Sequence, residues 1–146
     1  MKKYMNRVAV QLVEETATEY AVTGSIQAQE ILMQYMKKFD REHLVALLLD
    51  AANHIQSICE ILVGTLSGSL VHPREVREVF KAAILANASG IILAHNHPSG
   101  DTAPSEQDRE VTERLGKAGE LLGIPVLDHI IVGCNTSYSF REHAQC

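Results

Sequence analysis

Apolar positions along this chain recur with a helical period in some stretches and run unbroken in others, and the two patterns predict the order of its elements. Residues 25–39 place Ile26, Ile31 or Leu32, and Tyr35 or Met36 at helical spacing. That predicts an amphipathic helix with Ser25 as its N-cap. Residues 44–49 form a continuous apolar run, the pattern of a central strand covered on both faces. Asn53 marks a turn, and residues 55–63 read as a second strand beside the first. Residues 64–69, rich in Gly, Ser and Thr, read as a loop. His72-Pro73 opens a helix with Val76, Val79, Phe80, Ala83 and Ile84 on its apolar face. Within it Arg74-Glu75-Val76 is repeated at once as Arg77-Glu78-Val79, a unit shorter than one helical turn and so no repeat architecture.

Asn87 to Gly90 ends that helix, and residues 90–95 are a short buried strand. A loop over residues 98–104 leads to a helix over 105–122, whose stripe is Val111, Leu115, Ala118 and Leu122 and whose C-terminal cap is Gly123. Residues 126–132 form another strand and residues 138–141 a last short one. An additional edge strand is expected over residues 8–13, inside an N-terminal extension spanning 1–24. The mixture predicts an α/β fold, a mixed sheet flanked by helices, formed by one domain over residues 25–146.

Composition narrows the class. A chain of 146 residues suits one domain, and 46% hydrophobic with 21% charged residues is the balance of an ordinary globular protein. The longest apolar runs are too short to span a bilayer. The opening MKKYMNRVAV lacks the apolar core of a signal peptide. Three scattered cysteines, Cys59, Cys134 and Cys146, suit a reducing cytoplasm better than a disulfide framework. Thirteen Lys plus Arg against 18 Asp plus Glu give a net charge of -5, which argues against nucleic-acid binding driven by phosphate neutralisation. The local exception is the basic cluster Lys37, Lys38 and Arg41.

The candidate chemistry lies in residues 94–108, AHNHPSGDTAPSEQD. Residues i and i+2 of an extended segment project from one face, so His95 and His97 can address one point. Pro98 helps, because it keeps the preceding residue out of the helical region. Ser105 and Asp108 stand at the start of the following helix. Two imidazoles and a carboxylate make a first shell for Zn²⁺ with the fourth position open, the arrangement of catalytic zinc. Ser105-x-x-Asp108 also has the spacing of a capping box. The two roles are compatible, since Ser105 can cap while Asp108 turns to the metal. A zinc hydrolase further needs a carboxylate base, for which Glu42 and Glu60 are both candidates. Of the other histidines, His43, His54 and His143 read as surface residues and His72 as part of the loop-helix junction. His129, inside a strand, reads as a buried hydrogen-bonded residue rather than a fourth ligand.

His95-Asn96-His97-Pro98 followed by Ser105-x-x-Asp108 resembles the JAMM motif of the JAB/MPN metallopeptidase superfamily. The longer string HNHPSGDTAPSEQD is similar to the RadC branch, as are Gly64-Thr65-Leu66, Val71-His72-Pro73-Arg74-Glu75-Val76, Leu122-Gly123-Ile124-Pro125 and Leu127-Asp128-His129-Ile130-Ile131. The resemblance covers about residues 25–141. It implies a curved mixed sheet of the JAB/MPN kind, a layered architecture like that of cytidine deaminases. It implies Zn²⁺ on His95, His97 and Asp108, with Glu42 as general base, Glu60 in reserve, and Ser105 donating a hydrogen bond to the water or oxyanion. The activity implied is hydrolysis of a peptide or isopeptide bond in a protein or peptide substrate, with a homodimer left open. The alternative is a non-catalytic RadC-like module tied to DNA repair or recombination. RadC proteins often carry an N-terminal helix-hairpin-helix region, for which this reading expects no counterpart here, and the doubled Arg-Glu-Val departs from the family's single copy. The H-x-E and P-C-x-x-C signature of zinc deaminases is absent from the sequence.

Overall fold

The computed structural model describes residues 24–63 and 73–143. The expected strand over 8–13, the loop over 64–69 and His72 lie outside these residues. In chain order the elements are α1 (Ser25–Met36), β1 (His43–Leu49), β2 (Ile55–Val63), α2 (Pro73–Leu85), β3 (Gly90–Asn96), α3 (Glu106–Leu122), β4 (Val126–Val132) and β5 (Ser137–Ser139). The strands form one mixed sheet in the order β2-β1-β3-β4-β5. Only β3 and β4 run parallel, joined through α3; the other neighbours are antiparallel.

The two apolar runs become the centre of this sheet. Every residue of β1 and β3 is buried, as expected of strands covered on both faces. Alternate residues feed two cores. Val45, Leu47, Leu49, Ile92 and Ala94 pack against Ala28, Leu32 and Met36 of α1. Ala46, Leu48, Ile91 and Leu93 pack against Val79, Phe80 and Ala83 of α2 and against Val111 and Leu115 of α3. One helix therefore covers one face and two cover the other. No helix among the described residues is long and apolar enough to cross a membrane.

Several local expectations are corrected. The N-cap of α1 is Gly24, and Ser25 is the first helical residue. The Ser25 hydroxyl instead lies 3.2 Å from Asp128 Oδ2 and 3.0 Å from Ser139 Oγ, so tertiary partners outbid the local cap. The helix ends at Met36 rather than 39. Ile26 is exposed, because it sits about 200° round the helix from Ala28. Ile84 and Leu122 are likewise exposed, although Ala86 and Ile124, just past them, are buried in the core. The last strand is Ser137–Ser139, shorter and earlier than residues 138–141. The repeated Val76 and Val79 both face the same core, so the duplication leaves the helix in phase.

The face of α3 is completed by a glycine. An added Cβ at Gly119 would stand 2.5 Å from the carbonyl oxygen of Ile124 and 3.3 Å from the nitrogen of Val126, whereas at Gly116 it would meet nothing within 4 Å. Gly119 thus lets the helix end press on the backbone entering β4. Gly119→Ala should lower stability by about 1–3 kcal/mol, while Gly116→Ala should raise it by up to about 1 kcal/mol through helix propensity. Urea unfolding of both variants checks this; a Gly119→Ala protein as stable as its parent would refute the close approach.

Candidate metal centre

The site forms where three chain segments meet at one edge of the sheet. His95 is the penultimate residue of β3 and fully buried. His97 follows the strand, yet its N–H donates to the carbonyl of Val132 at 2.9 Å. That bond keeps the chain extended past Asn96 and puts both imidazoles on one face. Residues 97–100 then turn back, with the Gly100 N–H donating to the carbonyl of His97 at 2.9 Å. Gly100 has φ +86°, a conformation open to glycine.

The N-terminus of α3 arrives opposite the histidines. Ser105 is its N-cap and the capping box is complete: Ser105 Oγ accepts the Asp108 N–H at 3.1 Å, and Asp108 Oδ2 accepts the Ser105 N–H at 2.8 Å. Asp108 is nonetheless buried and faces both imidazoles. Its Oδ1 lies 3.0 Å from His95 Nε2 and its Oδ2 lies 3.3 Å from His97 Nε2. Capping and site formation coexist in one carboxylate. Burial would raise the Asp108 pKa, but hydrogen bonds from His95 and His97 outweigh it and hold the carboxyl well below the usual carboxylate range. The hydrogen bond to Asp108 in turn raises the His97 pKa against its own partial burial.

Glu42 supplies a second carboxylate. It precedes β1, which runs antiparallel to β3 with Leu44 opposite His95, so the start of one strand meets the end of the other. A donor oxygen of Glu42 and one nitrogen each from His95 and His97 all lie within 4.8 Å of one another. Asn96, between the histidines, clips this segment in place. Its Oδ1 accepts the His43 N–H at 2.7 Å and its Nδ2 donates to the Arg41 carbonyl at 2.8 Å. Burial raises the Glu42 pKa, and the facing imidazoles only partly pull it back. Glu60 is elsewhere. It pairs with Val45 on the α1 face of the sheet, and its Oε1 accepts from Tyr35 Oη at 2.9 Å.

The donor set suits a cation. His97 Nδ1 lies 2.7 Å from the carbonyl oxygen of Asp101; a carbonyl only accepts, so Nδ1 carries a proton and Nε2 is the inward nitrogen that could coordinate a metal. The two Nε2 atoms are 2.9 Å apart, beside an ionised carboxylate that can only accept. Ligand atoms on a tetrahedral zinc stand about 3.3 Å apart for bonds of about 2.0–2.1 Å. Two inward nitrogens and Asp108 are therefore spaced to hold such an ion, with Glu42 alongside.

The remaining histidines divide differently from the sequence reading. His129 is fully buried, as expected, and both ring nitrogens are engaged: Nε2 lies 2.8 Å from His95 Nδ1, and Nδ1 lies 2.5 Å from Thr112 Oγ1. Burial holds its pKa well below the usual imidazole value. His54 and His143 are exposed. His43 is not a surface residue; it is buried and stacked on Phe39 with ring centroids 3.7 Å apart. Sequence reasoning missed Asn96 and Thr112. Thr112 lies four residues after Asp108, on the same helix face, a spacing that could have drawn attention to it.

The RadC-like JAB domain family model matches residues 22–145. The UPF0758 protein of Desulforudis audaxviator is 51% identical over 115 residues, covering 79% of this chain and 49% of that protein. The UPF0758 protein of Chlorobaculum tepidum is 55% identical over 123 residues, covering 84% and 54%, and that of Caldanaerobacter subterraneus subsp. tengcongensis is 48% identical over 123 residues, covering 84% and 52%. The chain spans about half the length of these curated relatives. With a mixed five-stranded sheet, three flanking helices and an H-x-H pair facing the capped start of α3, it belongs to the RadC-like JAB domain family.

Proposed function

We propose that this chain is a zinc-dependent hydrolase of the JAMM type, cleaving a peptide or isopeptide bond in a protein or peptide substrate. The observation that carries the reading is the meeting of two kinds of carboxylate at one imidazole pair. Asp108 is buried and held ionised between His95 and His97. Glu42 is half-buried and its pKa is raised. One is suited to hold a cation and the other to carry a proton, which is how two carboxyl groups in different surroundings divide acid-base work.

His95, His97 and Asp108 would hold the zinc. A zinc ion bound there supplies Lewis acidity toward a carbonyl oxygen and acidifies a water to near neutrality. Glu42 takes the proton from the attacking water at its carboxylate and returns it to the leaving nitrogen, a role for which a pKa nearer to neutrality is favourable. Asn96 holds Glu42 toward the imidazoles by bonding the backbone on either side of it. The Ser105 oxygen is occupied as a cap acceptor, which leaves its hydroxyl proton to donate to the developing oxyanion. Cys59 and Cys134 are both free thiols, which supports a reducing, cytoplasmic setting.

Purified protein should bind one equivalent of zinc by elemental analysis, and His95→Ala or Asp108→Asn should abolish that uptake. Zinc retained in both variants would remove these residues from the shell. Glu42→Gln should keep its zinc while cleavage of a panel of fluorogenic peptides and isopeptide-linked lysine conjugates falls at least about 100-fold. Unchanged turnover would take Glu42 out of the mechanism, and lost zinc would make it a ligand instead of a base.

A further inference from the structure

The ring of His95 can ligate a metal through Nε2 only if its proton sits on Nδ1. A chain of contacts behind the site decides that question. Thr112 Oγ1 lies 2.7 Å from the backbone carbonyl oxygen of Asp108 and 2.5 Å from His129 Nδ1. A carbonyl has no proton to give. The hydroxyl proton must fill the first contact, and His129 must then fill the second from a protonated Nδ1. With its proton there, His129 Nε2 keeps its lone pair. It lies 2.8 Å from His95 Nδ1, so the proton in that contact comes from His95. With His129 neutral, this is the one assignment that places a proton in each of these three contacts. It fixes the Nδ1 proton of His95 and leaves Nε2, 3.0 Å from Asp108 Oδ1, as the ring nitrogen that a metal would take.

We propose that Thr112 and His129 are positioning residues that lock His95 in its metal-ligating tautomer. The inference rests on the zinc reading above. The lock begins at the backbone of Asp108 and ends at the ring that faces the Asp108 side chain, so one turn of α3 sets both a ligand and the protonation of its neighbour. Rigid surroundings hold the relay in register. His129 is fully buried and stacked on Phe140, with centroids 4.9 Å apart and rings within 9° of parallel. Thr112 is buried as well. Outer partners that fix the tautomer of a ligating imidazole commonly contribute about 10–100-fold to metal affinity.

The test has two arms. In zinc-free wild-type protein at mildly alkaline pH, nitrogen-15 NMR of the histidine rings should show His95 and His129 both protonated on Nδ1. A proton on Nε2 of His129 would overturn the proposal, whatever the variants do. In the second arm, competition with a chromophoric chelator should show zinc binding weakened about 10–100-fold in Thr112→Val and restored in Thr112→Ser, which keeps the hydroxyl. Thr112→Val that folds and binds zinc as tightly as wild type would equally overturn it. A wild-type protein that takes up no zinc would sink the zinc reading, and the NMR arm would still decide the relay.

Discussion

The centre of this molecule depends on one buried carboxylate having enough partners. A carboxylate removed from water is costly unless hydrogen bonds and opposite charge surround it. Asp108 meets that demand from both sides: the Ser105 N–H binds Oδ2, and two imidazole nitrogens face the pair of oxygens. The partial positive charge at the start of α3 favours the same carboxylate. Removing any of these partners would leave a buried charge poorly compensated, so the helix start and the imidazole pair hold each other in place.

Topology explains why the partners meet. The β3–α3–β4 unit is the one parallel crossover among the described residues, and it brings the carboxyl end of β3 next to the N-terminus of α3. Open α/β sheets bind ligands at such ends. On the other side β1 is antiparallel to β3, so its beginning, not its end, reaches the same edge. That direction delivers Glu42. The pleat excludes Glu60: it pairs with Val45, whose side of the sheet is the α1 core, while His95 shares the opposite side with Leu93.

Much of the fold was legible because strong periodic signals are local. The unbroken runs of β1 and β3 could be read as central strands, and Ser105 and Gly123 as the two ends of α3. The failures share a cause. Ile26, Ile84 and Leu122 are apolar residues at helical spacing that the packing nonetheless leaves exposed. Ser25 looked like a cap because it is a serine before a helix, but Asp128 and Ser139 compete for its hydroxyl from over a hundred residues away in sequence. His43 looked exposed because its neighbours in sequence are polar; Phe39 and the Asn96 clip bury it.

Residue identity and spacing alone determined that His95 and His97 could face one way and that Ser105 and Asp108 would begin a helix, because both follow from backbone periodicity over a few residues. They also assigned the family, since the motif is contiguous. Tertiary structure brought Glu42 and not Glu60 to the imidazole pair, gave Asn96 its clip and placed Thr112 behind His129. Those outcomes depend on strand direction, pleat and the docking angle of a helix, and such relations join residues that the chain keeps far apart.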